Sequence, residues 1–179
     1  MMKKRALALG RVYQLLEPGP VILVATSLNG KANIMTQSWH TMLEFEPPQI
    51  GVVISNRNHS FKALMATGEC TLNIPTAKLA KAVVGCGNTS GRSVDKFKRY
   101  GLTARTASLI DAPLIEECFA NLECRVIDTQ LVEKFCFFVL EVVKAWIDPG
   151  LKDPTTLHHR GRGRFMMSGR TVKLPSKMK

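Results

Sequence analysis

The chain has 179 residues, and its 25 Lys and Arg against 14 Asp and Glu give a formal net charge of +11. The excess lies entirely at the ends, in residues 1–11 (Lys3, Lys4, Arg5, Arg11) and 158–179 (Arg160, Arg162, Arg164, Arg170, Lys173, Lys177, Lys179); residues 12–157 carry 14 residues of each sign. A neutral body with basic ends argues against a nucleic-acid-binding body, which carries a basic face of its own, and no apolar run approaches the roughly 18–20 residues that span a bilayer.

The start, Met1-Met2-Lys3-Lys4-Arg5, leads into only four apolar residues, too few for a signal peptide, so a cytoplasmic protein is expected. The length predicts one domain over 1–179, with its core at about 12–157. Arg11 to Leu16 suits a short helix, ended by Glu17-Pro18-Gly19-Pro20. Val21 to Leu28 is a near-continuous apolar, β-branched run, the pattern of a buried strand. Asn29-Gly30 is a strong hairpin signal, and the return strand runs over Lys31 to His40. Alternation puts Asn33, Met35, Gln37 and Trp39 on one face and Ala32, Ile34, Thr36 and Ser38 on the other.

Glu46-Pro47-Pro48 interrupts the chain before a third strand, Gln49 to Ser55. The turn Asn56-Arg57-Asn58-His59 introduces a helix from Ser60 to Gly68. A fourth strand covers Cys70 to Ile74, and Thr76 to Val84 reads as a second helix. Residues 85–113 form a polar, glycine-containing stretch. Two longer strands follow, near Ala120–Asp128 and Phe135–Ile147. Many strands with few short helices predict a mainly β chain folded as an antiparallel Greek-key barrel, closed by its strands.

The five cysteines contain no Cys-x-x-Cys, and zinc-ligand spacing is missing, so no metal site is expected. On a shared strand, Cys118 and Cys124 would stand about 20 Å apart, beyond disulfide reach. Free buried thiols are the reading, with Cys86, in a Gly85-Cys86-Gly87 loop, the one to test for reactivity. There is no dinucleotide fingerprint, phosphate loop or Ser/His/Asp set.

Three polar constellations remain. Ser55, Asn56, Arg57 and Ser60 precede or open a helix, where free N–H groups and the dipole favour an anion; a plain N-cap with a solvated arginine accounts for the same residues. The face with Asn33, Met35, Gln37 and Trp39 suits a flat heteroaromatic ligand or, equally, a partner subunit. Ser90-Gly91-Arg92 with Asp95-Lys96-Phe97 offers Lys96 to a phosphate or to solvent.

Taken in order, Gly19-Pro20-Val21, Asn29 to Thr36, Ser38-Trp39, Pro47-Pro48, Arg57 with Ser60, Thr67-Gly68-Glu69, Asn73-Ile74-Pro75, Ser90-Gly91-Arg92, Asp95-Lys96-Phe97 and Glu141-Val142-Val143 resemble the flavin reductase-like (flavoredoxin) family over about residues 18–147. The resemblance implies an FMN-binding split barrel, with FMN in a groove at the interface of a homodimer. It assigns Asn33, Thr36 and Trp39 to the flavin-binding strand, with Met35, Gln37 and Ser38 beside them. Ser55, Asn56, Arg57 and Ser60 then meet the ribityl phosphate, Ser90 and Lys96 join from the later loop, and Phe165 covers the flavin. Similar sequences often carry His where this one has Phe135, at the expected start of the last long strand.

The implied function is electron transfer through FMN, as an NAD(P)H-dependent flavin reductase or a flavoredoxin-type carrier, with NAD(P)H or a redox protein, for example a ferredoxin-like one, as partner. The flavin carries the chemistry, so no catalytic acid, base or nucleophile is assigned. The competing reading is a small nucleic-acid-binding barrel that uses the basic tails. Few aromatic residues and the neutral body weigh against it, and neither nucleic acid nor membrane is an expected partner.

Overall fold

A computed structural model describes residues 19–175. The expected helix at 11–16 and the basic residues at positions 3, 4, 5, 11, 177 and 179 lie outside that range. Strand β1 (Ile22–Leu28) turns through Asn29 (φ 52°) and Gly30 (φ 73°) into β2 (Lys31–Gln37), in a register pairing Leu28 with Lys31 and Ile22 with Gln37. Both turn residues take the left-handed conformation that an Asn-Gly hairpin requires.

The return strand is shorter than the sequence pattern suggests. It stops at Gln37, and a separate strand β3 (His40–Phe45) leaves to pair with β4 (Pro48–Val53). The Gln37 side chain explains the break. Its amide donates to the Trp39 carbonyl and its Oε1 meets His40 Nδ1 at 2.9 Å, while Val53 N–H takes the same Trp39 carbonyl at 3.0 Å. The backbone is thereby redirected across two residues.

Helix α1 (His59–Thr67) ends on Gly68, at φ 67°, whose N–H donates to the Leu64 carbonyl, and β5 (Glu69–Ile74) follows. A 3-10 turn (Ala77–Leu79) leads into α2 (Ala80–Asn88), so Gly85-Cys86-Gly87 is helical and not the expected loop. Two glycines weaken a helix locally, but packing overrides propensity here. A Cβ on Gly85 would lie 2.3 Å from the Tyr100 ring, so the ring rests directly on this helix.

The stretch expected to be irregular also holds α3 (Lys96–Tyr100), β6 (Ala104–Arg105) and β7 (Leu114–Ile115). After β8 (Ala120–Asp128), Phe135 closes a short helix α4 (Val132–Phe135), and β9 (Phe137–Ile147) begins two residues later than expected. A terminal hairpin, β10 (Leu157–His159) and β11 (Phe165–Met167), has no counterpart in the sequence reading.

The main sheet has the order β2-β1-β5-β8-β9-β4-β3, with every ladder antiparallel. Its two edges, β2 and β3, are consecutive in the chain, yet among the described residues no ladder joins them. The barrel is therefore split rather than closed by strand pairing. Apolar residues pack on both faces of β1. Ile22 and Val24 join Val52, Leu64, Phe138 and Leu140 on one face, and Val21 and Leu23 join Ile34, Val83, Cys86 and Ile115 on the other. Burial on both faces accounts for the unbroken apolar run.

The described cysteines are all free, and Cys118 precedes β8 rather than sharing it with Cys124, which pairs across the sheet with Cys70. No helix among the described residues is long and apolar enough to cross a membrane.

Candidate functional site

Strand β2, as an edge, has one side open to the helices. Two adjoining cavities form there, sharing Thr36, Gly87 and Asn88. The first, of about 320 Å³, is polar and is lined by Asn33, Arg57, His59, Ser60, Ser90 and Lys96 among others. The second, of about 370 Å³, is more apolar and is lined by Val21, Gln37, Ser38, Val83, Val84 and Phe165 among others.

In the polar cavity, Asn33 Nδ2 donates to Ser60 Oγ at 2.8 Å, joining β2 to the first turn of α1. Asn33 is only 9% exposed, and its Oδ1 is buried without a hydrogen-bond partner. An acceptor left unpaired in a protein interior is costly, so this atom calls for a donor from outside the chain. Gly91 arches over it. A Cβ there would stand 2.0 Å from Asn33 Oδ1 and 2.8 Å from His59 Cδ2, so only glycine fits this close approach without displacing them.

Asn58 occupies the N-cap of α1, but its side chain makes no capping bond. The plain N-cap reading of this segment therefore fails for Asn58, and Ser60 is engaged by Asn33 instead. Arg57 is exposed at the cavity rim.

Lys96 is neither solvated nor reaching outward. It is 5% exposed, and its Nζ donates to the Ile34 and Cys86 carbonyls, each at 2.7 Å. The ammonium thus ties the free edge of β2 to α2. No carboxylate pairs with it among the described residues. Burial lowers its pKa, an effect only partly opposed by the neighbouring Cys86. The Cys86 thiol is pushed up to about 11 by burial, against the pull of Lys96. It is a buried helix residue, an environment that disfavours the reactive thiolate.

In the apolar cavity, Thr36 Oγ1 donates to the Val83 carbonyl at 2.6 Å, a second tie between β2 and α2. Gly87 approaches Thr36 closely, since a Cβ on it would meet Thr36 at 3.4 Å. Phe165, on β11, packs against the His159 ring with centroids 5.2 Å apart, and both residues line the cavity.

A family model of the flavin reductase like domain matches residues 15–166. The chain belongs to the flavin reductase-like family. Across 173 residues it is 31% identical to YddH, an uncharacterized protein of Escherichia coli K12, covering 89% of this chain and 92% of that protein. Among solved structures it is similar to the flavoredoxin of Desulfovibrio vulgaris (Miyazaki F), with a TM-score of 0.84, 24% identity and 97% of each chain covered. It is also similar to the flavoredoxin of Methanosarcina acetivorans, with a TM-score of 0.80, 27% identity and coverage of 98% of this chain and 97% of the other.

Ten of the thirteen sequence-predicted residues of this flavin reductase-like chain line the two cavities. Asn33, Met35, Thr36, Arg57, Ser60, Ser90 and Lys96 line the polar one; Thr36 also lines the apolar one, with Gln37, Ser38 and Phe165. Trp39, Ser55 and Asn56 line neither. Trp39 is 55% exposed, and Ser55 Oγ accepts from Arg57 N–H at 3.3 Å inside the turn.

Sequence reasoning missed His59, Val83, Gly87, Asn88, Thr89 and His159. The spacing of Ala80, Val83, Val84 and Gly87, at i, i+3, i+4 and i+7, was the available signal for a helix reaching Asn88.

A third cavity, of about 350 Å³, shares no lining residue with these two. In its wall Arg105 pairs with Glu116 at 3.2 Å. Beneath it, the Glu123 carboxylate accepts from Ser108 N–H, Leu109 N–H and Trp146 Nε1. Burial opposes ionisation of Glu123, but these hydrogen bonds and Lys144 outweigh it and hold the pKa below its ordinary value.

Proposed function

We propose that the chain is an FMN-dependent redox protein, a flavin reductase or flavoredoxin-type electron carrier, working as one flavin reductase-like domain in a cytoplasmic homodimer. The observation that carries this reading is the orphaned Asn33 Oδ1 in a cavity that also holds a buried ammonium with no carboxylate partner among the described residues. Such a cavity asks for a ligand with both a hydroxyl donor and an anion. A ribityl phosphate has both.

The remaining residues fit the same group. Arg57 at the rim and Lys96 beneath supply positive charge for a phosphate, and the start of α1 adds its dipole. The Ser60 and Ser90 hydroxyls offer further hydrogen bonds. Next door, Val83, Val84 and Phe165 present apolar surface to a planar ring, and the Thr36–Ser38 segment brings backbone groups to the ring edge.

Bound FMN supplies the redox chemistry, accepting electrons from NAD(P)H or a redox protein such as a ferredoxin-like donor and passing them on. The chain's own residues do the holding and shaping. Lys96 and Arg57 fix the anion, Asn33 orients the polyol, and Val83 and Phe165 keep water from the ring. No side chain is assigned a proton transfer.

Support for the dimer comes from β3. This edge strand exposes Met42, Leu43 and Phe45 and follows the exposed Trp39, and an uncovered apolar edge is a pairing surface. The free thiols fit a reducing compartment.

The test is the visible spectrum of protein purified without added flavin, before and after anaerobic NADH or NADPH. A yellow protein that bleaches with a pyridine nucleotide supports the reductase, and one that bleaches only with a reduced redox protein supports the carrier. Colourless protein that FMN does not restore would overturn the reading.

A further inference from the structure

The apolar cavity is walled on one side by the β10–β11 hairpin, which contributes His159, Gly163 and Phe165. The loop joining the two strands is Arg160-Gly161-Arg162-Gly163-Arg164, three guanidinium groups in five residues. Its shape is fixed. Gly161, Arg162 and Gly163 all have positive φ, at 78°, 53° and 70°, and Arg160 N–H donates to the Arg164 carbonyl at 2.8 Å. Arg162 is thus held in a conformation that favours glycine, at a cost the surrounding turn must sustain.

The three arginines are exposed, and none is ion-paired among the described residues. No acid occurs anywhere in 158–179. Like charges crowded on a rigid loop repel one another, and an anion bound among them relieves that repulsion. Arg162 and Arg164 flank Gly163, a residue of the cavity wall, which places them next to that wall in the chain.

We propose that this loop recognises a phosphate on the reductant, and so selects a nicotinamide dinucleotide bearing a 2′-phosphate over one that lacks it. The inference rests on the FMN reading, because the reductant would reach the flavin ring through this opening. The chemistry suits it. A phosphate monoester carries close to two charges at neutral pH, and a guanidinium pairs two of its oxygens at once. The sequence offers no Gly-x-Gly-x-x-Gly strand–helix unit for a dinucleotide, so discrimination has to come from elsewhere on the chain. A small phosphate is favoured over an acidic protein because the three arginines are gathered on one tight turn beside the cavity-wall residue Gly163 and not spread over a broad flat surface.

The experiment compares 2′,5′-ADP with 5′-AMP, two probes differing only in the 2′-phosphate, by calorimetric titration of the FMN-loaded protein. Steady-state rates with NADPH and NADH are measured alongside. The expected result is that 2′,5′-ADP binds at least about tenfold more tightly, the scale of one charged hydrogen-bonded contact.

In the double variant Arg162→Gly, Arg164→Ala that preference collapses, KM for NADPH rises while kcat holds, FMN content is unchanged, and Tm does not fall, since glycine relieves the positive φ at position 162. Arg162→Lys with Arg164→Lys restores only part of it, since lysine lacks the planar fork. Equal binding of the two nucleotides by FMN-loaded wild type overturns the proposal and leaves the FMN reading standing. So does a preference that survives the double variant. A variant that loses only electron exchange with an acidic protein also overturns it, and assigns the loop to protein docking. Failure of the wild type to hold FMN overturns both.

Discussion

The cavity beside Asn33 and the cavity beside Phe165 share Thr36, Gly87 and Asn88, yet they are held by different forces. Around Asn33, a buried ammonium bonded only to carbonyls carries a charge that no described carboxylate neutralises, and an amide oxygen is left without a donor. Around Phe165, the walls are valines and an aromatic ring, and the polar groups there, such as Thr36 Oγ1, are already bonded within the chain. The first half is tuned to charge and hydrogen bonding, the second to shape and exclusion of water. One amphipathic ligand, ionic at one end and flat at the other, satisfies both.

The comparison breaks most sharply at Gly91. Gly91→Ala places a methyl group over Asn33 Oδ1, and overpacking of this kind costs about 1–3 kcal/mol. FMN and riboflavin should both bind roughly ten- to a hundredfold more weakly, as read by fluorescence titration, and the Tm of the flavin-free protein should fall by a few degrees. An unchanged FMN affinity would remove the polar cavity from the site.

At the other end, Phe165→Ala should weaken FMN and riboflavin by the same factor, about tenfold, on the scale of a lost aromatic contact. A selective loss of FMN there would mean that the two ends had been assigned the wrong way round.

A smaller effect concerns pH. Because burial lowers the Lys96 pKa in the folded chain, the unfolded state binds more protons between that pKa and the ordinary lysine value. Stability contributed by this group therefore rises with pH across that window. Denaturant titrations of flavin-free wild type and Lys96→Met at pH 7 and pH 10 should show wild type gaining relative to the variant at the higher pH. The smallest expectation is a near-absence of reaction. Cys86, with its pKa raised to about 11, should resist a thiol reagent at pH 7 in the native protein, while the half-buried Cys136 reacts first.

Much of the strand framework could be read from the sequence because β1, β5, β8 and β9 are set by local pattern. Examples are a β-branched run, an Asn-Gly turn, and Pro75 just beyond the end of β5. The features that were misread depend on tertiary contacts. The break after Gln37 comes from a side-chain amide taking hydrogen bonds across the turn. The helical course of Gly85 to Asn88 depends on Tyr100 packing on Gly85, which no propensity scale contains.

The site was legible where residue type alone signals chemistry, as with Asn33, Arg57 and Ser60. It was not legible where a residue acts through its position. The segment around Lys96 leaves it open to a phosphate or to solvent and only resemblance puts it at the site, while its burial between two carbonyls comes from the fold alone. Phe165 came from resemblance, and its partner His159 had no signal of its own.

The most direct test of the two-ended groove is the ratio of FMN to riboflavin affinity, measured in wild type and in Lys96→Ala. The two ligands differ only in the phosphate. The account predicts that wild type prefers FMN and that Lys96→Ala loses most of that preference while its affinity for riboflavin changes far less. Equal losses for FMN and riboflavin, or a wild type that binds both alike, would contradict it.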